Sequence, residues 1–509
     1  MTEYFIGIDS GTQSTKAVVL DIKEKKIIQQ ASSPHDIIED VYGKKEQHPQ
    51  WWIDACDKVL FEVLSKIDKS KVKGIGVSAQ QHGFVALDKN GYPIRPAKLW
   101  NDTTTSKECK YLIKKLGGLK RVISLTGNSI PAGFTVSKIL WFKRNEPDNY
   151  KKLHIVLLPH NYINYYLTGE LKIEYGDTSG TGMFDVRKRI WVKEILDIID
   201  PELINKLPPF QKPYEICGYI KKEISEKFGL NKDVIVSAGG GDNMMSAIGT
   251  GNVEEGVVTL SLGTSGTIFA YSSKPVYDKQ KGEIAAFCDS TGGWLPLVCT
   301  MNVTVATELI RKTFDMSIEE MNILIENTPP GSSGLVLIPY LSGERTPDIP
   351  DGTGVFFGVN TITFDKKYLC RSAMEGVTLG LKYGFEKLKK LGIKPKQIRL
   401  TGGGAKSKVW RQIVSDVFNC EVVCMEVEES AAFGAALQAY WAYLNLRGKI
   451  SIKEITDEFC KVKIDTTTQP KKSNVIKYEY LYDLQQKITN KIMSVFGFHK
   501  KILKKLESI

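Results

Sequence analysis

A chain of 509 residues is too long for a single hydrophobic core and suits two large domains. Its formal charge of +11 is spread over lysines interleaved with acids rather than gathered in one basic block, which argues against a nucleic-acid partner. No apolar run reaches the roughly 20 residues of a membrane span, and the nine cysteines lack a C-x-x-C pair and read as free buried thiols.

Met1-Thr2-Glu3-Tyr4 runs straight into a strand without a signal-peptide pattern, so a cytoplasmic location is expected. Residues Ile6 to Asp21 then read as two short apolar strands joined by a polar turn, with Asp9 near the end of the first. The turn offers Gly11, Thr12, Gln13 and Ser14, whose hydroxyls and closely approachable backbone N–H groups suit a phosphate. Lys26 to Gln30 supplies a third strand, completing a meander. The segment from Glu46 through Trp51 and Trp52 starts a helix with Ala55, Val59, Leu60 and Val63 at helical spacing, and both tryptophans are expected in the core.

Val72 to Ala79 is a strand that delivers Gln80-Gln81-His82-Gly83 to its carboxyl end, where ligands of α/β sheets collect. Trp100-Asn101-Asp102 is a second polar cluster that could line the same cleft, although His82 taken alone fits a structural histidine equally well. Gly133 to Asn145 is a helix with Val136, Ile139, Leu140 and Trp141 on its apolar stripe and Lys138 read as solvated. Asp177 to Gly182 is a glycine and hydroxyl cluster that fits a helix cap or a site lining.

Val234 to Ser237 is a buried strand ending in Ala238-Gly239-Gly240-Gly241-Asp242-Asn243, before a small-residue helix over Met244 to Ile248. Asp242 there is either an ordinary N-cap or a general base for a substrate hydroxyl. The polar, glycine-rich stretch 249–256 marks the boundary between an N-terminal domain, 1–248, and a C-terminal domain, 249–480, with a helix and basic tail over 481–509. Just past that boundary, Thr259 to Tyr271 repeats the opening hairpin: Gly263-Thr264-Ser265-Gly266-Thr267 aligns with Gly11-Thr12-Gln13-Ser14-Thr15 without a gap. Ser261 stands where the first copy has Asp9, so only the first half brings a carboxylate, and with it Mg²⁺, to a nucleotide.

Tyr340 to Pro347 is a polar loop in which Glu344 and Arg345 read as a surface pair. Gln397 to Leu400 is a strand, and Thr401-Gly402-Gly403-Gly404-Ala405 turns into a helix starting near Lys408, a glycine floor for a nucleoside. Glu429 to Ala436 is a small-residue helix able to pack closely, as at a hinge between domains. Leu481, Leu484, Ile488, Ile492 and Val495 recur at helical spacing, with Gly497 and a basic tail after them; a terminal helix docked on its domain is the commoner explanation, a membrane-touching one the rarer.

The sequence has no G-x-x-x-x-G-K-[ST] run and no protein-kinase motif, which removes those phosphotransferase classes. The ordered set IGIDSGT, QQHG, LWND, GFTVSKILW, GGGDN, LSLGTSG, YLSGERTP and TGGGAKSKVWRQ resembles the FGGY family of carbohydrate kinases over nearly the whole chain. The resemblance implies an α/β protein of two ribonuclease H-like (actin-like ATPase) domains with the active site in the cleft between them. It implies ATP-dependent phosphorylation of D-xylulose or another ketose or polyol, such as ribulose or xylitol, with Asp242 as base. By motif, Gln81, His82, Trp100, Asn101, Asp102, Asp242 and Asn243 would contact the sugar. Gly11, Thr12, Gln13, Ser14, Gly263, Thr264, Ser265, Gly403, Gly404, Ala405 and Lys408 would hold ATP, with Asp9 and Asp242 on the Mg²⁺ side. A homodimer is expected on resemblance alone. Two departures stand out: Gln81 where methionine often precedes the histidine, and Tyr368 where a polar residue is usual. A nucleotide-dependent partner-binding protein of the actin type is the rival from another class.

Overall fold

The computed structural model describes residues 2–506. By spatial grouping the chain forms two units. The first holds the chain up to Glu254 together with Tyr271–Pro296 and Glu429–Lys461. The second holds Glu255–Ala270, Leu297–Glu428 and the chain from Val462.

In the first unit, β1 (Tyr4–Ser10), β2 (Ser14–Asp21) and β3 (Lys26–Pro34) form an antiparallel meander. The sheet continues on the other side of β1 with β4 (Val72–Ala79) and β6 (Ile235–Ser237), both parallel to it, and closes with antiparallel β5 (Ile216–Tyr219), in the order β5-β6-β4-β1-β2-β3. The second unit repeats this plan. There β7 (Val257–Leu262) pairs antiparallel with β8 (Gly266–Ala270), and β8 with β9 (Trp294–Thr300). Parallel β10 (Gln397–Thr401) and β11 (Glu421–Met425) follow on the far side of β7, and antiparallel β12 (Val462–Thr468) closes the order β9-β8-β7-β10-β11-β12. The repeat legible in the two hairpins thus extends to six strands of each sheet, in the same order and sense.

Six helices bear on the site and on the packing around it. The first, α1 (Pro49–Leu64), lies on β2 and β3 and buries Trp52, Ala55, Val59, Leu60 and Val63; Trp51 is only half-buried. Next come α2 (Thr135–Asn145), α3 (Asp242–Gly249) and α4 (Lys408–Phe418). The fifth, α5 (Ser430–Asn445), packs on β1, β4 and α3, and α6 (Lys472–Leu506) ends the described chain.

Three sequence readings change here. Lys138 on α2 is fully buried, not solvated. Glu344 is buried and accepts hydrogen bonds from the Met301 and Arg345 backbone N–H groups and from Asn302 Nδ2, so it is no surface partner of Arg345. Finally, α6 runs unbroken through Gly497. A helical glycine costs about 1 kcal/mol, and packing of Leu481, Leu484, Ile488, Ile492 and Phe496 against Val336, Ile338 and Tyr340 outweighs it. Val495 stays exposed, and Tyr478 anchors the same helix by donating to Glu375, which also pairs with Arg371.

The contact of α5 with its neighbours is backbone against backbone. A Cβ added at Gly434 would sit 1.8 Å from the Met245 carbonyl oxygen, and one at Gly7 would sit 1.8 Å from that of Ala432. Gly76 and Gly249 are blocked in the same way, by the carbonyls of Ala435 and Ser430. Gly434→Ala should therefore destabilise the protein by about 3 kcal/mol, against the gain of up to about 1 kcal/mol that alanine normally brings to a helix. The urea midpoint of the variant checks this; a rise in midpoint would contradict the close approach.

Candidate active site

The β1–β2 register sets Lys16 opposite Asp9, and the β1–β4 register sets Ser78 on its other side. Ser78 Oγ donates to Asp9 Oδ1 at 2.7 Å, while Lys16 Nζ pairs with Glu429 at 2.7 Å. Burial pushes the Asp9 carboxyl above its ordinary value, opposed by the Ser78 hydrogen bond and the Lys16 charge.

Asp242 reaches the same region from the neighbouring strand position. Gly240 and Gly241 pair with Ser78 and Ala79 at the end of β4, and the chain turns there into α3. Gly241 is the N-cap, so Asp242 is the first residue of the helix and its carboxylate is not used as a cap. Its Oδ1 accepts from the Asn243 backbone N–H at 2.8 Å and from Asn243 Nδ2 at 3.0 Å. Burial first, and the charge of Asp9 second, push its carboxyl up to about 8. A buried acid raised further by the charge of another acid is a frequent mark of a functional site.

His82 sits after β4 with φ of 62°, a left-handed backbone that a histidine adopts only under constraint. Its carbonyl accepts from Lys138 Nζ at 2.7 Å and Thr135 Oγ1 at 3.1 Å, and its backbone N–H donates to Asp177 Oδ1 at 3.1 Å. The ring lies against Phe134 and Phe287, with Nδ1 3.3 Å from Asp177 Oδ1. Gly180 makes room for it, since a Cβ there would meet the imidazole at 1.9 Å. Burial would raise the Asp177 carboxyl, but hydrogen bonds from His160 and His82 outweigh it and hold it at about 2. Burial pushes Lys138 down to about 7.

The other residues expected at a sugar divide. Gln81 and Asn243 join Asp242, with Asn243 Nδ2 donating to Gln81 Oε1 at 2.7 Å. Asn101 Oδ1 is buried without a partner among the described residues, an acceptor available to a ligand hydroxyl. Trp100 donates its indole N–H to Thr12 Oγ1 at 3.1 Å. Asp102 has both oxygens engaged by protein: Lys45 N–H and Lys98 Nζ on Oδ2, Thr104 N–H on Oδ1. Asp102 therefore braces the Trp100-Asn101 loop and offers little to a sugar.

The turn carrying Gly11, Thr12, Gln13 and Ser14 is held from beneath. Gln47 Nε2 donates to the Thr12 carbonyl, and Gln80 joins Gln47 to Thr12 Oγ1, with Trp52 closing the set on Gln47 Oε1. Sequence reading missed Gln47, His160 and Lys138 in these roles. The only signal for Gln47 is its place two residues before a helix start.

In the second unit, β7 and β10 pair so that Ser261 lies beside Thr401, which brings Leu262, at the start of the hairpin turn, against Gly402 and Gly404. Gly402 (φ 84°) would carry a Cβ 2.6 Å from the Leu262 carbonyl oxygen, while a Cβ at Gly403 would meet nothing, so one glycine packs the turn and the next leaves an open floor. Ser407 caps α4, and Lys408 opens it, exposed.

Duplicated sheets of this topology, with an acid on only one of two glycine-hydroxyl hairpins and a glycine floor on the other unit, define a two-domain phosphotransferase of the actin-like ATPase fold. Residues 4–249 match the N-terminal domain, and residues 258–443 the C-terminal domain, of the FGGY family of carbohydrate kinases, and the chain belongs to that family. Among curated relatives, the xylulose kinase of Haemophilus influenzae is 44% identical over 487 residues, 94% of this chain and 98% of that protein. Among solved structures, a ligand-bound xylulose kinase from Lactobacillus acidophilus has a TM-score of 0.91 at 26% identity, covering 98% of this chain and 100% of its own. A gluconate kinase from the same organism matches with the same score, identity and coverage.

The raised carboxyl of Asp242 has a consequence for stability. An acid that titrates near 8 when folded and near 4 when unfolded leaves the folded state unaffected below pH 4, and costs it progressively more stability from pH 4 to pH 8. Asp242→Asn is therefore expected to raise the melting temperature at pH 8 and to lose most of that advantage at pH 5. Melting curves at the two pH values check this; an equal effect at both would contradict it.

Proposed function

We propose that the protein transfers the γ-phosphate of ATP to D-xylulose, giving D-xylulose 5-phosphate, in the cytoplasm. The observation that carries this is the 44% identity, over nearly the full length of both chains, with a protein named xylulose kinase. The site chemistry supports it. Asp242 would accept the proton of the attacking sugar hydroxyl, and since Oδ1 already accepts both Asn243 donors, Oδ2 is the oxygen for that proton. Asn101 Oδ1, His82 and Asn243 would orient the sugar. Thr12 and Thr264 would meet phosphates, and Gly403, Gly404, Ala405 and Lys408 the adenosine.

Magnesium fits the donor set in a limited way. Among the described residues no group of three or more His, Cys, Asp or Glu could hold a metal ion alone. Asp9, however, has one oxygen on Ser78 and stands close enough to Asp242 for mutual repulsion, which a divalent cation would relieve. Asp9, with Asp242 beside it, would hold Mg²⁺ brought in with ATP, and the ion would neutralise phosphate charge. The protein's own part is to position the acceptor, keep Asp242 ready for the proton and exclude water.

ADP release with ATP and Mg²⁺ should be stimulated strongly by D-xylulose and weakly by D-ribulose, L-ribulose, xylitol, glycerol or gluconate. Stronger stimulation by gluconate would move the substrate while keeping the chemistry; sugar-independent hydrolysis would overturn the kinase reading. Asp242→Asn should fold and lose turnover by about 10³-fold or more. Asp9→Ala should lower activity and raise the Mg²⁺ concentration needed for half-maximal rate, and an unchanged magnesium titration would remove Asp9 from that role.

A further inference from the structure

Gln81 stands beside His82 and, by its place in the motif, is expected to touch the sugar. Its surroundings give it another task. The side chain is buried, and protein occupies both ends of its amide: Oε1 accepts from Asn243 Nδ2 at 2.7 Å, and Nε2 lies 3.2 Å from Met244 Sδ. The second hydrogen of Asn243 Nδ2 goes to Asp242 Oδ1 at 3.0 Å. The direction of this relay is fixed by its acidic end. A carboxylate oxygen needs a donor, so Asn243 must turn its NH₂ toward Asp242, and Gln81 must then present its oxygen to the same NH₂. Its own NH₂ is left against the thioether, a weak acceptor.

The glycines before Asp242 are built around this side chain. A Cβ at Gly241 would lie 2.5 Å from Gln81 Cγ and 2.9 Å from Cδ. The last glycine of GGGD thus allows Gln81 to cross the start of α3 and reach Asn243.

We propose that Gln81 is a positioning residue for Asp242, acting through Asn243, and not a sugar contact. The proposal rests on the reading of Asp242 as the base. Without Gln81, the Asn243 amide loses the acceptor that fixes its rotamer, and Asp242 loses its one side-chain donor of fixed direction. The bound sugar keeps its contacts with Asn101 and His82, but the carboxylate is displaced from the attacking hydroxyl, an error that counts against turnover more than against binding.

The experiment compares wild type, Gln81→Leu, Asn243→Ala and the double variant by steady-state kinetics with D-xylulose and by calorimetric titration of D-xylulose without nucleotide. Gln81→Leu is expected to lower kcat by about tenfold to a hundredfold, with KM and the calorimetric Kd within about twofold. In the Asn243→Ala background the same change is expected to alter kcat by less than about twofold, because the relay is already cut. A tenfold rise in Kd with kcat retained would make Gln81 a sugar contact and overturn the proposal, as would independent, multiplying effects of the two substitutions. Should Gln81→Leu fail to fold, Gln81→Met, close to it in volume, gives the same readings. Absence of sugar-stimulated turnover in wild type would instead count against the proposed function. Gln81 would then be judged by a crystal structure of Gln81→Leu, in which Asn243 Nδ2 remaining on Asp242 Oδ1 overturns the proposal and its displacement upholds it.

Discussion

The first unit depends on one close contact, that of the α5 backbone with β1, β4 and α3. Four glycines, Gly7, Gly76, Gly249 and Gly434, remove the side chains that would otherwise hold these elements apart. The strand that carries Asp9, the strand that leads to Gln81 and His82, and the helix that opens with Asp242 are thereby drawn onto one support. Interiors packed at this density tolerate displacement poorly, so the acids are held where their charges interact instead of drifting apart to relieve the repulsion.

That repulsion separates the two halves of the duplication. Six strands of each sheet share one order and the β1–β2 turn is one residue longer than the β7–β8 turn, yet only β1 carries an acid, and only the first unit adds a second acid beside it. In the second unit Ser261 and the glycines after β10 present neutral, close-approach backbone, chemistry suited to phosphate and nucleoside. One frame thus supports two chemistries, divided by a few side chains at the ends of equivalent strands.

Much of this was legible in the sequence. The hairpins, the GGGD turn and the TGGGA floor announce themselves because glycine and hydroxyl clusters after apolar strands have few alternative uses. The braces behind them were not. Lys138 looks solvated on a helical wheel and is buried, because its charge is satisfied by the His82 carbonyl, a partner 56 residues away in sequence. Gln47 reaches the Thr12 carbonyl and His160 reaches Asp177 through hydrogen bonds 35 and 17 residues apart in sequence, which leave no local pattern. Asp102 sits in a motif with Asn101 but turns the other way, toward Lys45 and Lys98, a distinction that composition and spacing do not encode. The small-residue character of α5 signals close packing without saying against what.

The first unit takes its central helix from residues 430–445, although its opening strands are made more than 400 residues earlier. On the ribosome, therefore, β1 and β4 emerge long before the surface that is to cover Gly7 and Gly76 exists. The N-terminal strands must wait, incompletely packed, until residues 430–445 have been translated. The unit is closed only once residues 430–445 have been made, so a transcript cut short before that helix leaves the first unit unfinished and its chain open to degradation.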